Sequence, residues 1–257
     1  MTRYQGKRVV ITGGTVGMGL AIAERLVAGG AEVVLTGRDE QRLAEAGRLL
    51  GPGAHVLRSD AGSLADIAAL AACVRDRFGA VDALFVNAGV SVLEPFGEVT
   101  EATYDWIFNV NAKGAFFTVQ RLAPLVADGG SIVFTTAVTN LGGFPTMSVY
   151  SGSKAAAGAF AKVFASELLP RGIRVNAVSP GFIRTPSMGV TDAPAEVVAA
   201  FEAEGAALTP MGRVGDAGEV AEAALFLAFE ATFTTGVELG VDGGLGRNIV
   251  NPELAGH

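Results

Sequence analysis

The length, composition and charge of the chain already exclude several classes of protein. It has 257 residues, 50% of them hydrophobic, with a formal net charge of −7 and a pI of about 4.9. Nucleic acids and anionic membranes bind clustered basic surfaces, so neither is expected as a partner. A single cysteine, Cys73, excludes an internal disulfide and fits a reducing compartment. The sequence has no signal-peptide apolar region and no bilayer-length apolar run, so we expect a cytoplasmic protein.

Short β-branched apolar runs alternate with longer segments of helical spacing along the chain. The predicted strands are 8–12, 32–36, 54–60, 82–87, 131–136, 173–179 and 237–244. The predicted helices are 19–30, 64–78, 101–127 and 150–172. Strands that alternate with helices form a parallel sheet covered on both faces, and right-handed crossovers make that sheet doubly wound. The chain is therefore predicted to be one α/β domain spanning residues 1–257.

Residues 185–215 interrupt this alternation. The segment follows a predicted strand and is punctuated by prolines and glycines. Ligands of open α/β sheets bind beyond the carboxyl ends of the strands. We therefore interpret 185–215 as a substrate lid; an ordinary pair of surface helices is the alternative.

A glycine-rich turn joins the first predicted strand to the first predicted helix. Its pattern is Gly13-xxx-Gly17-x-Gly19 rather than the commoner G-x-G-x-x-G. Glycine lets the backbone approach a pyrophosphate closely, and a helix N-terminus offers unpaired N–H groups and a partial positive charge. The turn, with Thr15 and Met18, is therefore predicted to bind a dinucleotide. A purely structural glycine turn is the alternative.

The end of the second predicted strand favours NADP(H) over NAD(H). An acidic residue there would bond the ribose 2′-hydroxyl of NAD, whereas an arginine accommodates the 2′-phosphate of NADP. The strand-end position is Gly37, followed by Arg38 and Asp39. The Arg38 guanidinium suits a phosphate. Asp39 keeps NAD(H) open, because its carboxylate either caps the next helix or repels that phosphate.

A set of motifs, taken together and in this order, resembles the short-chain dehydrogenase/reductase family over nearly the whole chain. The motifs are Thr12-Gly13-xxx-Gly17-x-Gly19, Asp60, Asn87-Ala88-Gly89, Asn111 within NVNAKG, Tyr150-xxx-Lys154, and SPGFIRT at 179–185. The resemblance implies a single Rossmann-like domain with a doubly wound sheet of about seven parallel strands. It also implies a homo-tetramer or homo-dimer.

The resemblance further implies which residues contact the cofactor. Asp60 and Ala61 are expected near the adenine. Three residues are expected beneath the adenosine ribose: Asn87, Ala88 and Gly89. Four residues of the SPGFIRT motif are expected to border the nicotinamide: Pro180, Gly181, Ile183 and Thr185. No metal site is predicted.

Tyr150 and Lys154 carry the predicted chemistry. Hydride transfer between a nicotinamide and a carbonyl carbon requires a proton to reach or leave the oxygen. A free tyrosine has a pKa of about 10, and a lysine four residues later lies on the same helix face, where its charge favours the phenolate. Tyr150 is therefore predicted to donate the proton in reduction and to accept it in oxidation, with Lys154 lowering its pKa. The resemblance implies that Lys154 also holds the nicotinamide ribose and that Asn111 supports a water linking Lys154 to solvent.

One catalytic position departs from the family pattern. The resemblance implies a serine thirteen residues before the tyrosine, where it bonds the substrate oxygen, and that position is Ala137. By strand alternation, the neighbouring Thr136 faces away. Thr135 and Thr139 share the parity of Ala137, two residues to either side. Thr139 or Ser148 approaches the site if the loop bends.

Three explanations fit Ala137. In order of preference, the chain is a serine-to-alanine variant made to trap a ligand, a natural variant that uses a threonine or a water, or a non-catalytic cofactor-binding protein. Loss of one preorganised donor typically costs about 10²–10³ in turnover. Ala137→Ser is therefore expected to raise carbonyl reduction by about tenfold or more. Equal turnover would show that another group already polarises the oxygen.

The predicted function is NADP(H)-dependent interconversion of a ketone and a secondary alcohol. Apolar residues near the expected pocket indicate a hydrophobic or mixed small-molecule substrate: Phe144, Met147, Phe182 and Met188. The tyrosine–lysine spacing of four is similar to that of alcohol and ketone members of the family, whereas enoyl reductases have a longer spacing. The alternative is a regulatory or cofactor-binding protein without activity.

Overall fold

The computed structural model describes residues 2–191, 193–247, 249 and 251. The strands in chain order are β1 (Arg8–Thr12), β2 (Glu32–Gly37), β3 (Ala54–Arg58), β4 (Val81–Val86), β5 (Val126–Thr135), β6 (Arg174–Pro180), β7 (Ile183–Arg184), β8 (Gly215–Asp216) and β9 (Glu238–Val241). The α-helices are α1 (Gly17–Ala28), α2 (Glu40–Leu50), α3 (Leu64–Phe78), α4 (Glu101–Phe108), α5 (Ala115–Leu122), α6 (Ser148–Glu167), α7 (Ala195–Leu208) and α8 (Ala217–Leu225).

Seven of these strands form one parallel sheet in the order β3-β2-β1-β4-β5-β6-β9. The short strands β7 and β8 pair separately. The strand order reverses between β1 and β4, and a crevice opens at such a point beyond the carboxyl ends of the strands. The prediction of a doubly wound, single-domain α/β fold with seven parallel strands is confirmed.

Alternate residues of the central strands pack against different helix layers. Val9 and Ile11 of β1 are fully buried in one core, which Leu26 of α1 shares with residues of α8. Val10 joins a second core, which Leu70 of α3 shares with residues of α5 and α6. Successive side chains of a strand point to opposite faces, so the continuous apolar runs of the sequence fill both layers.

The predicted single helix 101–127 is wrong. The structure divides it into α4, a π-helical turn at Asn109–Gly114, α5 and a 3₁₀ turn, and β5 already begins at Val126. The π-helical turn packs tightly on the loop after β3, because a Cβ added at Gly114 would lie 2.0 Å from the carbonyl oxygen of Ala61. Pro124, which has no N–H to donate, lies where the helical chain ends.

Other boundaries differ by a few residues. The predicted strand 54–60 ends at Arg58, and the predicted strand 237–244 shortens to β9 before Gly243 and Gly244, which both have positive φ. The predicted helix 150–172 ends at Glu167; a 3₁₀ turn containing Pro170 follows it, and the left-handed Gly172 closes that turn.

Helices α2 and α8 were not predicted, although each begins with an acidic cap. The side chain of Asp39 accepts a hydrogen bond from the backbone N–H of Arg42, and Asp216 and Glu219 form a capping box. Asp39 thus has the first of the two roles that the sequence left open for it, a cap on α2. Within the described part of the chain, every helix is too short or too polar to cross a bilayer.

Candidate active site

The glycine turn between β1 and α1 lies at the centre of the carboxyl edge of the sheet. Gly13 and Gly17 have φ values of +64° and +56°, which a residue with a Cβ adopts only with strain. A Cβ at Gly19 would lie 2.2 Å from the Gly13 carbonyl oxygen, so α1 packs directly on the turn. Thr15 lies against Gly37 at the end of β2, where an added Cβ would be 2.6 Å from the Thr15 Cγ2. The glycines are therefore required by the backbone packing of this turn.

The first turn of α1 carries neither a side-chain cap nor an acidic residue, as its fully described residues show. Ser63 and Thr100, in contrast, cap α3 and α4 through their hydroxyl groups. An uncapped helix N-terminus presents free N–H groups and a partial positive charge, which attract a phosphate. The turn therefore fits the pyrophosphate of a dinucleotide.

A hydrogen-bonded cluster joins the carboxyl ends of β1, β4 and β5. Thr12 Oγ1 accepts from the backbone N–H groups of Asn87 at 3.1 Å and Ala88 at 3.2 Å. Asn87 Nδ2 donates to the Gly13 carbonyl oxygen at 2.9 Å, and Asn87 Oδ1 accepts from Thr135 Oγ1 at 3.1 Å. The two segments 12–13 and 87–88 are consequently held at a fixed separation, with the predicted ribose-binding residues beside the glycine turn.

Asp60 and Ala61 lie in the loop between β3 and α3. Asp60 Oδ1 accepts from the backbone N–H of Gly62, and its own N–H donates to Asp66 Oδ2, both at 2.8 Å. The backbone N–H of Asp60 and the Ser63 hydroxyl hold the pKa of the Asp66 carboxyl below its usual range. Asp60 is thus part of an ordered turn at the expected adenine end of the crevice.

Arg38 is exposed immediately after β2. It takes part in no hydrogen bond, ion pair or ring contact with any other residue that the structure describes. The adjacent Asp39 is directed to the first turn of α2, where it accepts from the Arg42 N–H at 2.8 Å. The guanidinium of Arg38 is therefore available at the position where the sequence predicts a 2′-phosphate.

Helix α6 brings Tyr150 and Lys154 to the carboxyl end of β5. Lys154 is 4% exposed, and its Nζ donates to the Thr135 carbonyl oxygen at 2.8 Å. The same Nζ lies 5.7 Å from the centroid of the Tyr150 ring, and a Cβ added at Gly89 would be 3.1 Å from it. Burial lowers the pKa of Lys154 to about 8, because desolvation disfavours the ammonium form. Lys154 therefore remains mostly cationic at neutral pH.

Burial raises the pKa of Tyr150 to about 12. The expected lowering by Lys154 is not found in the protein alone, because desolvation of the phenolate raises the pKa and the Lys154 ammonium bonds the Thr135 carbonyl instead. Tyr150 is consequently protonated at neutral pH, which is the state that a proton donor requires.

Asn111 is buried in the π-helical turn and links the loop after β4 to α6. Its Oδ1 accepts from the Val90 N–H at 2.8 Å, and its Nδ2 donates to the Val90 carbonyl at 2.8 Å and to Ser153 Oγ at 3.0 Å. Ser153 Oγ in turn donates to the Tyr150 carbonyl oxygen at 2.7 Å. The Asn111 side chain thus positions the backbone around Tyr150 without bonding Lys154. Its link to Lys154 through a water stays a prediction.

Ala137 lies in the wall of the cavity that contains the Tyr150 ring. Thr139, two residues later, lines the same cavity. Ser148 is exposed at the first position of α6 and lies outside the cavity wall. The predicted serine position is therefore in the pocket, and of the two loop hydroxyls considered from the sequence only Thr139 accompanies it.

The threonines before Ala137 are occupied elsewhere. Thr135 donates its hydroxyl to Asn87 Oδ1 in the cofactor crevice. Thr136 Oγ1 is within hydrogen-bond distance of the Val178 carbonyl at 3.0 Å and of Glu238 Oε1 at 2.5 Å. The Thr136 hydroxyl is therefore directed toward Val178 and Glu238, as strand alternation predicts, although Thr136 also contributes to the cavity wall.

The cavity wall is mainly apolar and, among the described residues, contains no charged side chain. All four pocket residues predicted from the sequence line it: Phe144, Met147, Phe182 and Met188. Met18 of the glycine turn and the predicted nicotinamide-bordering residues also line it: Pro180, Gly181, Ile183 and Thr185. The substrate pocket therefore opens directly onto the expected reactive end of the cofactor crevice.

Five further cavity residues were missed: Ser91, Val138, Gly189, Val190 and Phe201. Ser91 lies two residues after the Asn87-Ala88-Gly89 motif, beyond β4, and the rule that ligands bind beyond strand ends could have found it. Val190 and Phe201 belong to the predicted lid, where the sequence gives no signal for either residue. In the structure the Phe201 ring packs against Phe182, and the two ring centroids are 5.1 Å apart.

The segment predicted as a lid contains α7 and contributes cavity-lining residues from both of its halves. Its first half is tied to the loop after β4, because the Thr191 N–H donates to the Ser91 carbonyl at 2.8 Å. Arg184, at the entrance to the segment, pairs with Glu202 of α7 at 2.7 Å. Asp192 lies outside the described residues.

Comparison with known proteins identifies the class. Residues 13–246 match the family model described as "Enoyl-(Acyl carrier protein) reductase". The oxidoreductase asL5 of Sarocladium schorii is 37% identical over 95% of this chain and 98% of its own. The NADP-dependent (R)-specific alcohol dehydrogenase of Lentilactobacillus kefiri is 34% identical over 94% of this chain and 97% of its own.

A solved structure agrees with these sequence relatives. The short-chain dehydrogenase/reductase "SDR:Glucose/ribitol dehydrogenase" from Brucella melitensis superposes with a TM-score of 0.87 at 31% identity, covering 95% of this chain and 98% of the other. The chain belongs to the short-chain dehydrogenase/reductase family. It is accordingly an oxidoreductase of the class that acts on CH–OH and C=O groups.

Proposed function

We propose that the protein is an NADP(H)-dependent oxidoreductase that interconverts a ketone and a secondary alcohol on a neutral, largely apolar small molecule. One observation carries the proposal. The Tyr150 ring lies in the wall of a cavity without charged lining among the described residues, and the Lys154 ammonium is 5.7 Å from that ring. A protonated phenol beside a fixed cation is suited to proton transfer at a carbonyl oxygen.

Tyr150 gives its proton to the carbonyl oxygen in reduction and takes it back in oxidation. The phenol holds its proton at neutral pH because burial raises its pKa to about 12. The phenolate left after transfer is stabilised by Lys154, which is cationic below a pH of about 8. Asn111 fixes the backbone on which Tyr150 sits, through Ser153.

A nicotinamide dinucleotide, when bound, supplies the hydride for reduction and accepts it in oxidation. The residues that would hold it surround the crevice between β1 and β4. The uncapped first turn of α1 and the glycine turn would bind the pyrophosphate. The adenosine would contact Asp60, Ala61, Asn87, Ala88 and Gly89. The nicotinamide half would contact Lys154, Pro180, Gly181, Ile183 and Thr185.

NADP(H) is favoured by two features at the end of β2. Arg38 makes no hydrogen bond, ion pair or ring contact with another described residue, so its guanidinium is free to bind a 2′-phosphate. Gly37 leaves no carboxylate to bond a 2′-hydroxyl, and an acidic side chain introduced there would collide with Thr15, 2.6 Å from the new Cβ. The relative from Lentilactobacillus kefiri is named as NADP-dependent.

The cavity wall favours a neutral substrate. Its aromatic and methionine side chains offer apolar contact, and no cation is present among its described residues to bind a carboxylate or phosphate. We also propose that 185–215 acts as the substrate lid, since Met188, Val190 and Phe201 contribute to this wall. The cytoplasmic location and the homo-tetramer or homo-dimer stay predictions.

The proposal is tested by following nucleotide oxidation with a panel of acceptors. The panel contains an aliphatic methyl ketone, an aryl ketone, a 2-keto acid and an enoyl thioester, each with NADPH and with NADH. We expect the neutral ketones to be reduced, with kcat/KM higher for NADPH by about tenfold or more, which corresponds to one good charged contact. Turnover of the enoyl thioester alone would contradict ketone reduction. Inactivity of both the parent and Ala137→Ser toward every acceptor would favour the cofactor-binding alternative.

A further inference from the structure

The Thr139 hydroxyl has an unusual environment. Thr139 is 8% exposed, and its Oγ1 is buried without a hydrogen-bond partner in the described part of the chain. Buried hydroxyl groups are nearly always bonded, because loss of water without a replacement is unfavourable. Since Thr139 lines the cavity that holds Ala137 and Tyr150, a ligand bound in that cavity would supply the missing partner.

The backbone explains how Thr139 reaches the position of the missing serine. β5 ends at Thr135, and a 3₁₀ turn at Val138–Asn140 begins directly after Ala137. A 3₁₀ helix rises about 2 Å per residue, so two residues advance the chain by only about 4 Å. In a strand the same two residues would span about 6.6 Å. The turn therefore brings Thr139 closer to Ala137 than strand spacing allows.

Hydrogen bonds hold this turn in place. The Asn140 N–H donates to the Ala137 carbonyl at 3.2 Å, and Asn140 Nδ2 donates to Glu238 Oε1 at 3.1 Å. Glu238 also contacts Thr136 Oγ1, so one carboxylate on β9 anchors both sides of Ala137. A hydroxyl carried by an anchored turn is preorganised, which is the property that makes a donor effective toward a reacting oxygen.

We propose that the Thr139 hydroxyl donates the hydrogen bond to the substrate oxygen that Ala137 cannot make. The inference rests on the proposed ketone reduction. During reduction Tyr150 transfers its proton to the carbonyl oxygen, while Thr139 keeps its proton and donates a hydrogen bond to that same oxygen. The chain then uses a threonine of its own, and the alanine at 137 does not disable the site.

Four variants test this role: Thr139→Val, Thr139→Ser, Ala137→Ser and the double variant Ala137→Ser/Thr139→Val. Valine removes the hydroxyl but keeps the shape, and serine keeps the hydroxyl. Turnover of the best neutral ketone with NADPH is measured beside the thermal midpoint without nucleotide. Ser148→Ala, an exposed hydroxyl outside the cavity, is the matched control.

Thr139→Val should lower kcat by about 10²–10³. It should leave the KM for NADPH and the thermal midpoint essentially unchanged, because the hydroxyl bonds no described protein group. Thr139→Ser should retain kcat within about tenfold, and Ser148→Ala should match the parent. The double variant should recover about tenfold or more over Thr139→Val, whereas Ala137→Ser alone should change kcat by less than about tenfold. The small change expected here for Ala137→Ser replaces the larger gain in turnover that the sequence alone predicts for that variant.

Two results would overturn the role of Thr139 while leaving ketone reduction intact. One is an active parent whose Thr139→Val variant turns over equally fast, above all if Ser91→Ala lowers kcat instead. The other is an Ala137→Ser variant that by itself gains about tenfold or more, since the parent would then lack a donor. If no variant, including Ala137→Ser, reduced any ketone, the proposed function itself would fail and this inference with it.

Discussion

The cofactor crevice and the substrate pocket share Tyr150 and Lys154. They differ in whether their other polar side chains are hydrogen-bonded within the protein. In the crevice, Thr12, Asn87 and Thr135 bond to one another and to the backbone of the glycine turn. In the pocket, the hydroxyls of Thr139 and Tyr150 bond no other described residue. The polar side chains beside the glycine turn are therefore committed to structure, whereas the pocket leaves the hydroxyls of Thr139 and Tyr150 for a ligand.

The difference has an energetic reason. The side chains that fix the crevice leave the backbone N–H groups of α1 uncapped, so the proposed phosphate-binding surface exists before a ligand arrives. An unbonded buried hydroxyl costs about 1–3 kcal/mol, and a substrate oxygen recovers part of that cost only when it lies between both donors. If Thr139 and Tyr150 both donate to the substrate, as proposed, the pocket selects for an oxygen at one place, while the crevice selects for the shape of the dinucleotide.

The largest expected effect removes a pocket donor and leaves the glycine turn of the crevice unchanged. Tyr150→Phe should lower kcat by about 10²–10⁴, the usual contribution of a general acid, while the Kd of NADPH stays the same. Steady-state turnover and fluorescence titration of NADPH check the two expectations separately. Tyr104→Phe, which changes an exposed ring on α4, serves as the control. A comparable loss of NADPH affinity in Tyr150→Phe would show that the pocket and the crevice are not separable.

The second prediction changes the crevice without touching the pocket. Arg38→Ala should raise the Kd of NADPH by about tenfold to a hundredfold, because a hydrogen bond to a charged group contributes about 1.5–3 kcal/mol. The Kd of NADH should be unchanged, as should kcat at saturating NADPH. Arg48→Ala, an exposed arginine in the last turn of α2, is the control for the loss of one positive charge. An equal weakening of both nucleotides would place Arg38 away from the 2′-phosphate.

Much of the crevice could be predicted from the sequence because its determinants are local. The glycine turn follows a strand and precedes a helix, and the backbone itself forbids a Cβ at Gly19. Asn87 follows β4 at the same edge of the sheet, and parallel strands bring such ends together without knowledge of side-chain contacts. Asp39 remained ambiguous, since either capping or repulsion is compatible with its place in the chain. In the structure Asp39 caps α2 by accepting a hydrogen bond from the Arg42 N–H.

The pocket was less predictable because it depends on how segments bend and pack. Strand parity correctly predicts that the Thr136 hydroxyl points away from the site, toward Val178 and Glu238. It does not apply to Thr139, which lies in a 3₁₀ turn. The pKa of Tyr150 was expected to fall beside Lys154, yet burial dominates and raises it. Burial is a property of the folded chain, and spacing along a helix contains no information about it.

The smallest expected effect concerns Lys154, which lies at the boundary of the two regions. Its pKa is about 10.5 in the unfolded chain and about 8 in the fold. Between these values the unfolded state binds more protons, so stability rises with pH, and the folded protein is less stable below pH 8 than above it. Each pH unit in this window contributes up to about 1.36 kcal/mol.

Lys154→Met should therefore remove part of the pH dependence of stability. Urea unfolding between pH 8 and 10, without nucleotide, should show a smaller rise in unfolding free energy for Lys154→Met than for the parent. The window ends near pH 10 because Tyr150, whose pKa is raised to about 12 in the fold, lowers stability above that pH. Lys162→Met, an exposed lysine on the same helix, should retain the parent slope. Identical slopes for the parent and Lys154→Met would mean that water or the Thr135 carbonyl solvates the ammonium well enough to cancel its burial. In that case the Lys154 ammonium would be better solvated than its burial and its hydrogen bond to the Thr135 carbonyl imply.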